Sequence, residues 1–381
     1  MTSPSTANVY ADFRQSTYFP SLNGIRAICA LVVVKLHTNW AVDGAPRMFE
    51  WGFLGVDMFF VISGFLIVTL LLRERDARGQ IDLKQFYIRR TLRIFPIYYL
   101  LIGLLFVLAV ATYPHSTRTW DLYKWSFPVF VLYLQNIVPV SMGVMFQTWS
   151  LPMEEQFYLI WPSIERFFRR SLIVPTLLAL LVVNQLFNFG VFAGALTAIY
   201  GPDGPLRPMF LITFTPILLG VLGAHLLHDP RTGEAIVAVL KNRWVPPLLL
   251  AAAMLVCERS NGFQGIDRLM VHILFWLALM AMVINPRGIL SSTLQSRVLS
   301  YLGSISYGIY LYHTFVLWGV TRLCESRHIE LRPVELFACV TLLAIAVAAV
   351  SFKYFETPIM QWRHRRRAAA GHLVTRSGRA T

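Results

Sequence analysis

The sequence predicts an all-α polytopic integral membrane bundle of about ten transmembrane helices, since about 20 apolar residues suffice for one crossing. Three observations predict it: recurrent long apolar runs, a low content of charge, and basic residues gathered between the runs. Hydrophobic residues make up 56% of the 381 and charged residues 14%, against roughly 25% charged in a soluble domain. Mean hydropathy is +0.56. No polar stretch is long enough to be a separate soluble domain, although the length alone would allow two. The formal net charge of +14 does not point to nucleic acid, because the basic residues sit between apolar runs and at the C-terminus. Cys29, Cys257, Cys324 and Cys339 have no CxxC or other ligand spacing, which argues against a zinc site or a disulfide framework. Residues Met1 to Tyr18 are polar and show no h-region of a cleaved signal peptide.

The apolar runs lie at roughly 22–40, 52–72, 94–112, 155–168, 171–190, 208–227, 244–257, 269–285, 300–321 and 334–355. An apolar piece at 127–140, within the stretch 113–154, would be an eleventh crossing. That crossing would carry Arg166, Arg169 and Arg170 to the outer face, against the loop-charge bias. Segment 127–154 is therefore expected to be re-entrant or surface-lying on the outer side, where irregular backbone must rest on protein or water. Both termini are then expected in the cytoplasm, with a segment 1–21, a membrane domain 22–356 and a basic tail 357–381, in the cell (inner) membrane. No internal repeat is evident, which weighs against an inverted-repeat transporter.

Ionisable groups inside spans mark candidate function. Span 1 holds Arg26, Lys35 and His37, and span 2 holds Asp57. The two spans form a hairpin with its tip near Arg47, so His37 and Asp57 fall at similar depth. The expectation is a His37–Asp57 pair, in which the carboxylate fixes the imidazole tautomer and supports proton abstraction. Arg26 precedes His37 by three helical turns, about 16 Å along one face. That face suits a ligand with an anionic head and a long neutral arm, the shape of an acyl-CoA. Arg89, Arg90 and Arg93 stand at the inner mouth of span 3. Two readings stay open for them, a grip on phosphate or a positive cluster beside anionic lipid. Glu154 and Glu155 enter span 4 beside Trp149, Ser150, Tyr158 and Trp161. A carboxylate there would bind a sugar hydroxyl or support the reacting histidine, whereas Trp161 reads as interfacial belt. Span 9 holds His313 near Tyr307 and Tyr310, and a lone intramembrane histidine is more often an interhelical hydrogen-bonder than a catalyst. Glu356 is expected to pair with the arginine cluster. His225 and His228 have i, i+3 spacing but no third ligand in view, so no metal is expected.

These motifs together resemble the membrane acyltransferase-3 family of O-acyltransferases over nearly the whole chain. The elements are LNGIRAICALVVVKLH with Arg26 and His37, Gly55 to Ile67 with Asp57, Arg89 to Tyr99, Trp149 to Pro162, Ser306 to His313, and Phe355 to Pro358. Departures are small: Asn23 stands where Asp is usual, and Pro152 where a small residue is commoner. Some members carry a hydrolase-like domain after the last span. Here only a basic tail follows, so transfer within the bundle is expected. The resemblance implies O-acylation, most often O-acetylation, with acetyl-CoA or another acyl-CoA as donor and a surface or exported carbohydrate as acceptor. A macrolide or other small glycosylated metabolite is an alternative acceptor. From another class, an exporter of lipid-linked sugar would also use intramembrane His and Asp, as a proton relay.

Overall fold

The computed structural model describes residues 5–38, 50–112, 117–138, 143–201, 214–260 and 263–361. Every regular element among them is helical. Local signals set the first boundaries. Ser5 caps α1 (Thr6–Gln15) by accepting from the Asn8 N–H, and Pro20 starts α2 (Pro20–His37). The two helices meet at a bend of 74°. Segment 1–21 is thus more than a polar lead-in, because α1 buries Val9, Tyr10 and Phe13. Gly79, with φ 73°, ends α3 (Leu54–Arg78) in the left-handed conformation that glycine adopts without strain. The Asp82 carboxylate accepts the Gln85 N–H at 3.0 Å as α4 (Leu83–Thr112) begins.

The remaining helices are α5 (Arg118–Val131), α6 (Ser150–Phe167), α7 (Arg170–Asn188), α8 (Ala193–Tyr200), α9 (Thr215–His228), α10 (Pro230–Leu240) and α11 (Val245–Arg259). They are followed by α12 (Ile266–Ile284), α13 (Ser291–Leu294), α14 (Arg297–Ser304), α15 (Ser306–Arg327) and α16 (Pro333–Ser351). A π-helical turn over Phe352–Glu356 prolongs α16.

Each of the ten expected runs carries a helix, with 208–213 outside the described residues. By length and composition, however, five helices among the described residues are fit to cross a membrane, or seven if the bent pairs α1–α2 and α10–α11 count as one span each. The expected ten is not reached on that measure for a physical reason. Helix α9 has 14 residues and α11 has 15, about 21–23 Å of rise, against a hydrocarbon core near 30 Å. Helix α6 carries Glu154, Glu155, Glu165 and Arg166, and the ninth run breaks at Ile305 between α14 and α15. Helices α7 and α16 leave Leu178, Val182, Leu342 and Val350 exposed, apolar faces suited to lipid.

Helix α3 is the centre of the bundle, packed between α2, α6, α9 and α12. Its approach to α9 depends on two glycines. A Cβ on Gly64 would lie 2.1 Å from the Ile217 carbonyl oxygen, and one on Gly220 would lie 2.2 Å from that of Val61. Small residues of this kind let membrane helices pack backbone to backbone. One buried carboxylate ties the same helices at the end where α3 finishes. Glu165 accepts from Trp161 Nε1 at 3.0 Å, meets His225 Nε2 at 2.7 Å and lies 3.6 Å from Arg75.

Segment 113–154, described except for 113–116 and 139–142, rests on protein. Helix α5 ends at Val131, and a turned stretch leads to a 3-10 helix, Gly143–Trp149. The irregular backbone is satisfied by side chains, as the expectation of a re-entrant or surface-lying segment requires. Tyr98 and Tyr99 donate to the Phe130 and Val131 carbonyls, each at 2.9 Å. Gln156 donates to the Tyr133 carbonyl at 3.1 Å and exchanges amide hydrogen bonds with Asn136. Thr314 donates to the Val144 carbonyl at 2.7 Å.

Gly64→Ala and Gly220→Ala should each lower the apparent melting temperature in detergent, by the equivalent of about 1–3 kcal/mol for overpacking. Gly103→Ala, where an added Cβ has nothing within 4 Å, should leave it unchanged or slightly raised. Thermal scans read by fluorescence-detected size exclusion check all three.

Candidate active site

Helices α2, α3, α4, α6 and α15 enclose a cavity of about 260 Å³. Its walls bring together residues that stand far apart in the sequence. Arg26 comes from α2, Arg89, Arg90 and Arg93 from α4, Ser150, Glu154, Glu155 and Tyr158 from α6, and Tyr307 and Tyr310 from α15. Helix α3 adds Ser63 and Glu74. On α6, positions 154 and 158 share a face because four residues close one helical turn. Glu154 Oε1 accepts from the Ser63 hydroxyl at 2.8 Å and Oε2 from the Tyr158 hydroxyl at 3.2 Å. The Arg90 guanidinium lies 4.3 Å from the centre of the Tyr158 ring, a cation–π contact.

The four arginines are not equivalent. Glu74 Oε2 lies 3.6 Å from Arg89, and its Oε1 lies 3.3 Å from Arg78, so the charge of Arg89 is shared at the rim. Among the described residues, Arg26, Arg90 and Arg93 make no ion pair. Glu154 acts on Arg26 and Arg90 from beyond contact distance, and Glu356 acts on Arg93 in the same way. Glu356 accepts from the Ser351 hydroxyl at 3.3 Å, and among the described residues it makes no ion pair with the arginine cluster that it was expected to join.

Tyr310 and Ser150 in the cavity wall are joined by a hydrogen bond. The Tyr310 hydroxyl donates to the Gln147 carbonyl at 2.5 Å, and it therefore accepts from Ser150 Oγ at 2.8 Å. Next to Tyr310, and not among the residues lining the cavity, are two histidines. His313 Nδ1 is 2.6 Å from the Tyr310 carbonyl oxygen. His37 Nδ1 is 2.8 Å from His313 Nε2, with the two rings 19° from parallel.

Comparison with known proteins places this arrangement. The family model for an acyltransferase domain, the acyltransferase-3 family, matches residues 19–353. The chain belongs to the acyltransferase-3 family. A peptidoglycan O-acetyltransferase of Listeria monocytogenes is 28% identical over 90% of this chain and 56% of its own length. An O-acetyltransferase of Staphylococcus aureus is 25% identical over 90% of this chain and 57% of its own. The chain thus spans a little over half the length of these curated relatives. No solved structure matches it.

Within this family member the structure redraws one expected pair. Asp57 does not meet His37. Its carboxylate lies 3.0 Å from His272 Nε2 of α12, both side chains being buried, with the charge of Arg268 acting on it. Depth matched, but helix phase did not. Gly55 is the residue of α3 that abuts α2, where an added Cβ would lie 2.7 Å from the Cys29 carbonyl oxygen. Asp57 is two residues further on, about 200° around the helix, and so faces away from α2. His313 is the interhelical hydrogen-bonder expected of a lone intramembrane histidine, and its partner is His37. Trp149 packs half-buried at the edge of the core and does not line the cavity. The sequence reading passed over His272, Ser63, Glu74 and Gln147. His272 carried a usable signal, an imidazole within an apolar run. Gln147 carried none, because its contribution is a backbone carbonyl. His225 is engaged by Glu165, and His228 Nδ1 lies 2.8 Å from the Ala224 carbonyl.

Removing one partner of a buried hydrogen bond leaves the other unsatisfied, at about 1–3 kcal/mol and more where a charged group is involved. Asp57→Ala and His272→Ala should each destabilise the protein strongly and be non-additive, with a coupling of about 0.5–3 kcal/mol. Asp57→Ala and His37→Ala should be additive within about 0.5 kcal/mol. Detergent thermal stability of the single and double variants checks this.

Proposed function

We propose that the protein is a membrane O-acyltransferase that moves an acyl group, acetyl in the first instance, from acyl-CoA to a hydroxyl of a carbohydrate. The observation that carries this reading is the cavity with three guanidinium groups that lack an ion-pair partner among the described residues. A guanidinium withdrawn from bulk water needs an anion, and its fork geometry matches phosphate. The phosphates of the donor would sit on Arg89, Arg90 and Arg93, with Arg26 deeper. The neutral arm would lead the thioester toward Ser150 and Tyr310. The relatives named as O-acetyltransferases support acetyl as the group, and the one named for peptidoglycan supports a carbohydrate acceptor.

On this reading the arginine-lined end of the bundle faces the cytoplasm, as do both termini, because loop charge favours that side. The membrane domain covers 22–356. The chemistry needs one base. The acceptor hydroxyl oxygen attacks the thioester carbonyl carbon while its proton passes to His37. The new C–O bond forms, the C–S bond breaks, and the departing CoA sulfur takes the proton back from the His37 imidazolium. Because His37 does not line the cavity, the cavity wall must open beside Tyr310 for the thioester to reach it. Glu154 and Glu155 are assigned to the electrostatic setting of the donor, and Asp57 to holding α3 against α12.

General-base assistance is worth about 10²–10⁴-fold. His37→Ala in proteoliposomes should lower kcat by that factor while leaving acetyl-CoA binding in place. Arg93→Ala should instead weaken acetyl-CoA about 10–100-fold, as expected for a lost charge-assisted hydrogen bond. Release of free CoA from radiolabelled acetyl-CoA in the presence of a glycan acceptor is the readout. Full turnover by His37→Ala, or acceptor movement without CoA release, contradicts the reading; the latter is the behaviour of an exporter.

A further inference from the structure

We propose that His313 is a positioning residue that decides which nitrogen of His37 takes the proton. The kinetic part of the inference rests on His37 being the base; the tautomeric part does not.

The argument follows the direction of two hydrogen bonds. A carbonyl oxygen can only accept, so His313 Nδ1, 2.6 Å from the Tyr310 carbonyl, carries its hydrogen. In a neutral imidazole the other nitrogen then bears the lone pair. His313 Nε2 is therefore an acceptor, and His37 Nδ1, 2.8 Å away, is the donor to it. This leaves the basic lone pair of His37 on Nε2. A free neutral imidazole prefers the opposite arrangement, with hydrogen on Nε2, so the contact with His313 reverses the intrinsic preference. The charged alternative would bury an imidazolium at His313, a fully buried side chain with no carboxylate in an ion pair with it among the described residues.

The arrangement does with a neutral ring what a carboxylate does beside many catalytic histidines. When His37 takes the acceptor's proton on Nε2, its Nδ1–H bond to His313 becomes charge-assisted and strengthens. No second proton moves, because His313 Nδ1 is held by a peptide carbonyl that cannot take one. Asp57 is not available for this task, being engaged by His272. The anchor of the chain, Tyr310, also lines the donor cavity. The direction of His37 is thus fixed from a residue in the wall of that cavity.

The test uses the full chain in nanodiscs with ¹⁵N-labelled histidine, and His37→Ala to assign the His37 signals. Wild-type His37 should carry its hydrogen on Nδ1. His313→Leu, which removes the acceptor, should return it to mainly Nε2–H. His313→Gln, whose Oε1 can stand near the place of Nε2, should restore the wild-type tautomer. In the acetyl-CoA assay His313→Leu should lower kcat about 10²-fold, the low end of general-base assistance, with KM for acetyl-CoA little changed. His313→Gln should recover most of that loss. Hydrogen on Nε2 in the wild type, or a tautomer indifferent to His313→Leu, overturns the proposal, as does a His313→Leu effect confined to KM. Failure of the acyltransfer reading would look different: no CoA release by the wild type, with the tautomers as stated.

Discussion

Positive charge held inside a helical bundle is the constraint from which the rest of this structure follows. Arg26, Arg90 and Arg93 reach one cavity from two helices, and among the described residues no carboxylate closes to ion-pair distance on any of them. Glu154 is near but is already hydrogen-bonded to Ser63 and Tyr158. A void lined in this way is costly unless an anion enters it. The close crossing of α3 and α9 at Gly64 and Gly220 keeps α3 in place as the floor of that void. The Glu165 cluster locks α3, α6 and α9 together at one end, and the Asp57–His272 pair locks α3 to α12 at the other.

The irregular stretch between α5 and α6 has a corresponding purpose. It is affordable at depth because tyrosines, glutamines and Thr314 satisfy its carbonyls. It ends in a 3-10 helix whose Gln147 carbonyl receives the Tyr310 hydroxyl. The 3-10 turn thus supplies the acceptor that holds the Tyr310 hydroxyl in the cavity wall. Tyr310 in turn joins two regions that have different chemical needs. One holds guanidinium groups and hydroxyls; the other holds the two imidazoles.

Much of this was legible in the sequence, and the parts that were not share a cause. The apolar runs located the helices, because burial in hydrocarbon leaves an unmistakable composition. Charge within and beside the apolar runs pointed to Arg26, Arg93, Glu154 and His37, and of these all but His37 line the cavity. Depth along a helix could be counted from the sequence, whereas rotation about it could not. That is why Asp57 was expected opposite His37 but points to α12, and why His37 finds His313 from a helix 276 residues away. The expected number of crossings is not confirmed for a related reason: apolar composition does not report how long each helix runs, and among the described residues α9 and α11 have 14 and 15 residues. Gln147 contributes through its main chain, to which side-chain identity gives no clue.

A cryo-electron microscopy structure of the full chain in nanodiscs with acetyl-CoA tests the account at its root. The account predicts the phosphates against Arg89, Arg90 and Arg93, the pantetheine arm within the cavity, and the thioester at the Ser150–Tyr310 pair. Acetyl-CoA bound elsewhere, or guanidinium groups neutralised by lipid headgroups while the cavity stays closed to the donor, would contradict it.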